Sequence, residues 1–221
     1  FYTLMELLDG DNLRDYVTGS IRLPAKEVFN MAEGILKALV YMQGKIPPVF
    51  HRDIKPNNIV WDKRARFVLI DFNISTTTED KTFSGTLPYM APDLILSSQK
   101  IDWDCSADTF ALGVTMYELL TQAYPWPGSD PCPKTGIAPI DIRKYNDKIS
   151  DAFADFVMKA IVTDKNKRFK TAKDMLDALG AIGVDGILKY QPITVNTISQ
   201  KESIDIVDYI NSLYSQSKHG N

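Results

Sequence analysis

"FHRDIKPNNIVWD", residues 50–62, sets two Asp, two Asn, a Lys, a His and an Arg within thirteen positions. Polar side chains this dense act as one site only if the chain around them is held in shape. The preceding "IPPVF" carries two prolines and reads as a rigid extended entry. On the other side lies a pair of strands: "NIVWD" and "RFVLIDF" flank "KRA", a pattern that predicts a hairpin. The hairpin turns the chain back on itself and returns Asp71 to the neighbourhood of Asn58, so two oxygen ligands distant in sequence face one space.

Before this stretch, "LPAKEVFNMAEGILKALVYMQGK" repeats apolar residues at Val28, Met31, Ile35, Leu36, Leu39 and Met42, the period of an amphipathic helix with Pro24 near its start. After it, "ADTFALGVTMYELLTQ" is apolar nearly all round and predicts a helix at the domain centre. "DAFADFVMKAIV", "TAKDMLDALGAI" and, near the end, "SIDIVDYINSLYSQ" predict further helices, and a short one is expected from Asn12 to Tyr16. Residues 74–90 are rich in Ser and Thr without apolar periodicity and read as a loop. The expectation is a mainly α domain with a small β-hairpin region near its front.

Composition narrows the function classes. The 221 residues are 44% hydrophobic and 24% charged with a net charge of −3, which gives no argument for a nucleic-acid or anionic membrane surface. No apolar run approaches the roughly 20 residues of a membrane span. Two cysteines, Cys105 and Cys132, make no disulfide framework and point to a reducing, cytoplasmic setting. The chain opens on "FYTLMEL", a strand already in progress, and the expectation is an excerpt from a longer polypeptide.

"HRDIKPNN", then "DFN", "GTLPYMAPD" and "DCSADTFALGVTMYELL" resemble, in order and spacing, the larger C-terminal lobe of a eukaryotic-type Ser/Thr protein kinase over residues 1–182. The resemblance implies an α+β kinase-like C-lobe that uses ATP and Mg²⁺ on a protein substrate. Its roles carry over residue by residue. Asp53 orients the acceptor hydroxyl, Lys55 sets an ammonium beside the γ-phosphate, and Asn58 and Asp71 hold the metal. Glu6 and Leu8 meet the adenine through their backbone, Met5 guards the pocket, Asn12 meets the ribose and Val60 forms the floor under the base. Arg52 pairs with a phosphate on the loop at 74–89, where Thr82 and Ser84 are candidates for modification, while Thr86 suits contact with Asp53 and Lys55. His51, Asp93, Asp108 and Arg168 are structural: His51 packs, Asp93 pairs with Arg168, and Asp108 ties its helix to the backbone at His51 and Arg52, with a helix N-cap as the plainer role. Lys55 together with Thr86 favours Ser/Thr over Tyr as acceptor.

Three departures bear on that implication. "DFN" stands where the family has Asp-Phe-Gly, so Asn73 replaces the flexible glycine; Asn is among the residues that best tolerate positive φ. "APD" stands where Ala-Pro-Glu is usual, so Asp93 is one methylene short. The glycine-rich loop and strand lysine of the smaller N-lobe do not occur in residues 1–221. The expected layout is a last N-lobe strand and hinge at 1–12, the C-lobe at 13–185, and an extension with a helix at 186–221. The missing N-lobe and further domains of the same chain are expected partners. The alternatives are a pseudokinase module without turnover and a small-molecule phosphotransferase; the "GTLPYMAPD" segment, a peptide platform in the family, counts against the latter.

Overall fold

A computed structural model describes residues 6–189 apart from 65, 73–74, 78–83, 96–102, 129–131 and 135. Met5, Asn73, Thr82 and the helix expected beyond residue 190 lie outside the described residues. In chain order the elements are β1 (Gly10–Asn12), α1 (Arg14–Thr18), α2 (Ala25–Gln43), β2 (Val49–Phe50), β3 (Ile59–Asp62), β4 (Arg66–Leu69), β5 (Thr76–Thr77), α3 (Pro92–Ile95), α4 (Cys105–Thr121), α5 (Asp151–Ala160) and α6 (Ala172–Ile182). Short 3-10 turns lie at Pro56–Asn58, Leu87–Tyr89, Ile142–Lys144, Lys165–Lys167 and Val184–Gly186. The class is the expected one, mainly helical with a small antiparallel sheet.

α4 is the centre. Every residue from Ser106 to Thr121 is buried, which is why its sequence shows no polar face. Asp104 caps it by accepting from the Ser106 N–H at 2.8 Å. Capping therefore belongs to Asp104, and Asp108 inside the helix is left for another task. α2 buries Val28, Met31, Ala32, Ile35, Leu36 and Leu39 along one stripe. α5 presses on α4 at Gly113, where a Cβ would stand 2.6 Å from that of Ala160, so only glycine permits the approach. Gln43 at the end of α2 joins three helices: its amide donates to the Cys105 carbonyl at 3.2 Å and accepts from the Ala172 N–H at 2.9 Å.

The front sheet runs β1–β3–β4, all antiparallel, with Asn12 opposite Val60 and Val60 opposite Val68. Alternation puts Ile59 and Leu69 into the core and leaves Val60 and Val68 on the other face, half-buried. Two local expectations change. Asn12 sits in β1, and its Oδ1 accepts from the Arg14 N–H at 2.8 Å, so the first helix starts at Arg14 rather than Asn12. Within the stretch read as loop, Thr76 and Thr77 pair with Phe50 and Val49 as β5, and Leu87–Tyr89 forms a turn. A two-residue strand has no period to read; its partner makes it.

Candidate active site

The loop after β2 is held by one carboxylate from the central helix. Asp108, 1% exposed, accepts from the His51 N–H and the Arg52 N–H, each at 2.9 Å. Burial pushes its carboxyl up, against the pull of those two bonds and of the cations nearby. Arg52 takes a positive φ of 74°, a fixed bend in the loop. His51 is fully buried, and its ring meets Phe72 edge-on at 4.8 Å. Its Nε2 lies 3.1 Å from the Ile70 carbonyl, which can only accept, so Nε2 carries the proton. Burial lowers His51 below its ordinary range, which suits a neutral packing residue that braces the loop.

Beyond the bend four side chains close on one another. Lys55 Nζ donates to Asp53 Oδ2 and to Thr86 Oγ1, both at 2.7 Å, and Thr86 Oγ1 donates to Asp53 Oδ1 at 2.6 Å. Asn58 Nδ2 donates to the Asp53 carbonyl at 2.8 Å and to its Oδ2 at 2.9 Å. Burial alone would raise the Asp53 carboxyl. The hydrogen bonds from Lys55, Thr86 and Asn58, with the Lys55 charge, outweigh it and hold Asp53 below its ordinary value. Gly85, φ 125°, lets the "GT" segment reach the loop: a Cβ there would lie 2.8 Å from the Arg52 carbonyl oxygen.

The hairpin returns as the spacing predicts. The Ile70 N–H donates to the Asn58 carbonyl at 2.9 Å, so Asp71 comes directly after a residue bonded to the Asn58 backbone. Asp71 is exposed and takes a φ of 65°, a left-handed bend that Asp tolerates better than most residues. Both bonds of the Asn58 amide nitrogen go to Asp53, which turns its oxygen elsewhere. An amide oxygen and a carboxylate are the hard donors that suit Mg²⁺. Among the described residues no three His, Cys, Asp or Glu side chains gather as a metal cluster, and a cation shared with phosphates needs none.

On the hinge side, Val60 lies half-buried in β3. Leu8 is half-buried, and the Glu6 carboxylate receives Arg66 at 2.6 Å and Arg64 at 3.2 Å across the hairpin. Asn12 is engaged on both sides, donating to the Asn57 carbonyl and accepting from Arg14, so a ribose contact would exchange one of these bonds.

The residues assigned to regulation separate. Arg52 is buried with its guanidinium 4.4 Å over the Trp103 ring. The Ser84 hydroxyl is buried without a hydrogen-bond partner among the described residues, which shields it from modification in this conformation. Thr86 is tied into the Asp53–Lys55 triangle. The shorter Asp93 reaches Arg168 through one guanidinium nitrogen, Nη2; Arg168 also donates to the Val162 carbonyl at 2.7 Å and the Thr163 carbonyl at 3.1 Å. Sequence reading missed Lys165, which bridges Asp104 at 2.5 Å and Asp93 at 3.8 Å. It also missed a groove of ≈ 690 Å³ beside Lys55 and Thr86, walled by Arg14, Tyr89, Glu118 and Tyr124. Neither carries a local pattern, because the partners are far apart in sequence.

Residues 1–178 match the protein kinase domain family. The chain is 28% identical to the serine/threonine-protein kinase PrkC of Bacillus subtilis over 191 residues, 79% of this chain and 28% of that protein. It is 28% identical over 207 residues to a probable serine/threonine-protein kinase of Streptomyces coelicolor, covering 87% of this chain and 29% of the other. With human serine/threonine-protein kinase DCLK3 it shares 32% identity over 187 residues, 79% of this chain and 28% of that one. The chain thus spans under a third of the length of these curated relatives. With a family match over most of its length and the loop, hairpin and central helix in the arrangement above, the chain belongs to the protein kinase domain family.

Proposed function

We propose that this chain transfers the γ-phosphoryl group of ATP to serine or threonine hydroxyls of protein substrates. The observation that carries the reading is the closed set Asp53–Lys55–Thr86–Asn58, in which a carboxylate held ionised stands beside an ammonium. Asp53 accepts the hydrogen bond of the incoming hydroxyl and orients it for in-line attack. Lys55 neutralises charge developing on the transferred oxygens, and Thr86 fixes the distance between the two. Asn58 and Asp71 offer the oxygens that would hold Mg²⁺, which when bound neutralises phosphate charge. Val60 and the backbone at Glu6 and Leu8 receive the base.

Residues 1–12 are then the last strand of the smaller lobe and the hinge, 13–185 the larger lobe, and 186–221 an extension. The family's glycine-rich loop and strand lysine are not within residues 1–221, so we infer that they come from outside this segment and that the segment alone turns over negligibly. The test is phosphate incorporation from labelled MgATP into a Ser/Thr substrate by the full-length chain and its Asp53→Asn variant. Loss of about 10²-fold or more is expected in the variant. Equal incorporation removes Asp53 from its role.

A further inference from the structure

The groove beside the Asp53–Lys55–Thr86 triangle joins apolar surface to several charged side chains, and these are unequal in availability. Glu118 projects from α4 with its side chain 8% exposed. Its Oε2 accepts from the Tyr89 hydroxyl at 2.5 Å, and burial raises its carboxyl against the pull of that bond and of the Arg14 charge. The Tyr124 hydroxyl is engaged with the Pro88 carbonyl at 2.5 Å. Lys55 is held by Asp53 and Thr86. Arg14, the first residue of α1, is held more loosely: its side chain is 41% exposed, it pairs with Glu118 Oε1 at 4.0 Å, and it also reaches the neutral Tyr89 hydroxyl.

We propose that Arg14 is a specificity residue that selects substrates with an acidic side chain close to the acceptor hydroxyl; this rests on the kinase reading above. An incoming carboxylate pairs with the half-exposed guanidinium while Glu118 stays hydrogen-bonded to Tyr89, so no buried charge is stranded. An incoming arginine meets the opposite situation. It would have to share the single Glu118 carboxylate with Arg14, two cations against one anion, and the like-charge approach disfavours it.

The experiment is a positional scan with the full-length chain and MgATP. Ser/Thr peptides carry one Glu, Gln or Arg at each position within four residues of the acceptor, and kcat and KM are measured separately. At one position or more, Glu is expected over Arg by about tenfold in kcat/KM, chiefly through KM. Arg14→Gln brings that ratio towards one, Arg14→Lys keeps most of it, and Arg14→Glu reverses it. Transfer that depends on Asp53 but ignores peptide charge, favours Arg, or keeps its preference for Glu in Arg14→Gln overturns this proposal alone. No transfer to any peptide by wild type and Asp53→Asn alike removes the kinase reading and this one with it.

Discussion

Asp53 is a carboxylate on which burial and hydrogen bonding pull in opposite directions, and its neighbours win. Because its folded-state value is depressed below the ordinary 3.8, it stays ionised throughout the working range. Its contribution to stability is present above the ordinary value and is lost as pH falls through the depressed one. An acid limb of activity between pH 5 and 8 would therefore belong to another group. Lys55→Met removes both a hydrogen bond and a charge that lower Asp53, leaving burial less opposed. Asp53 is then expected to titrate at a higher pH than in wild type, read from the chemical shift of its carboxyl carbon across a pH titration, and an unshifted titration would mean that Lys55 does not hold it down. Asp108 is the second decisive residue. Asp108→Ala leaves the His51 and Arg52 N–H groups buried without a partner, at about 1–3 kcal/mol each. Chemical denaturation should show a loss of about 2–6 kcal/mol, and an unchanged midpoint would mean that the loop is held by other contacts.

Among the elements, α4 is the post on which the site is mounted: it carries Asp108 to the loop, Glu118 to the groove and Gly113 to α5. Gly113→Ala drives a methyl into Ala160 and to within 2.9 Å of Ile161 Cγ2. Overpacking of this kind costs about 1–3 kcal/mol, to be measured as a shift in denaturation midpoint. The helices α2, α4, α5 and α6 were legible because each repeats an apolar stripe or, for α4, is apolar throughout. So was the β3–β4 hairpin, whose register brings Ile70 to Asn58. What could not be read is non-local or too short: β5 exists only against β2, and α3 spans four residues. The first helix begins two residues later than expected because Asn12 pairs with Val60 in β1, a contact no local pattern shows. Of the candidate site, the gathering of Asp53, Lys55 and Asn58 was legible from their spacing, and the return of Asp71 from the hairpin. Trp103 over Arg52, and Tyr89 on Glu118, join residues tens of positions apart that no local pattern links.

For the molecule as a whole, the described residues assemble one helical body with a small sheet at its front, and none of their helices is long and apolar enough to cross a membrane. Neither Cys105 nor Cys132 forms a disulfide among the described residues. The loop at His51–Asn58, the returning strand and the "GT" segment come from three separate stretches, and the proposed chemistry exists only where they meet. Everything proposed for the site depends on that convergence, in which Asn58 and Asp71 serve one metal–nucleotide beside Asp53. The decisive measurement is the magnesium dependence of ATP binding to the full-length chain, titrated calorimetrically with Mg²⁺ and with chelator, for wild type, Asn58→Ala and Asp71→Asn. Chelation is expected to weaken binding to wild type by about tenfold or more, and either variant to lose most of that difference. Variants that bind ATP with the full magnesium dependence of wild type would show that the two side chains do not share a metal.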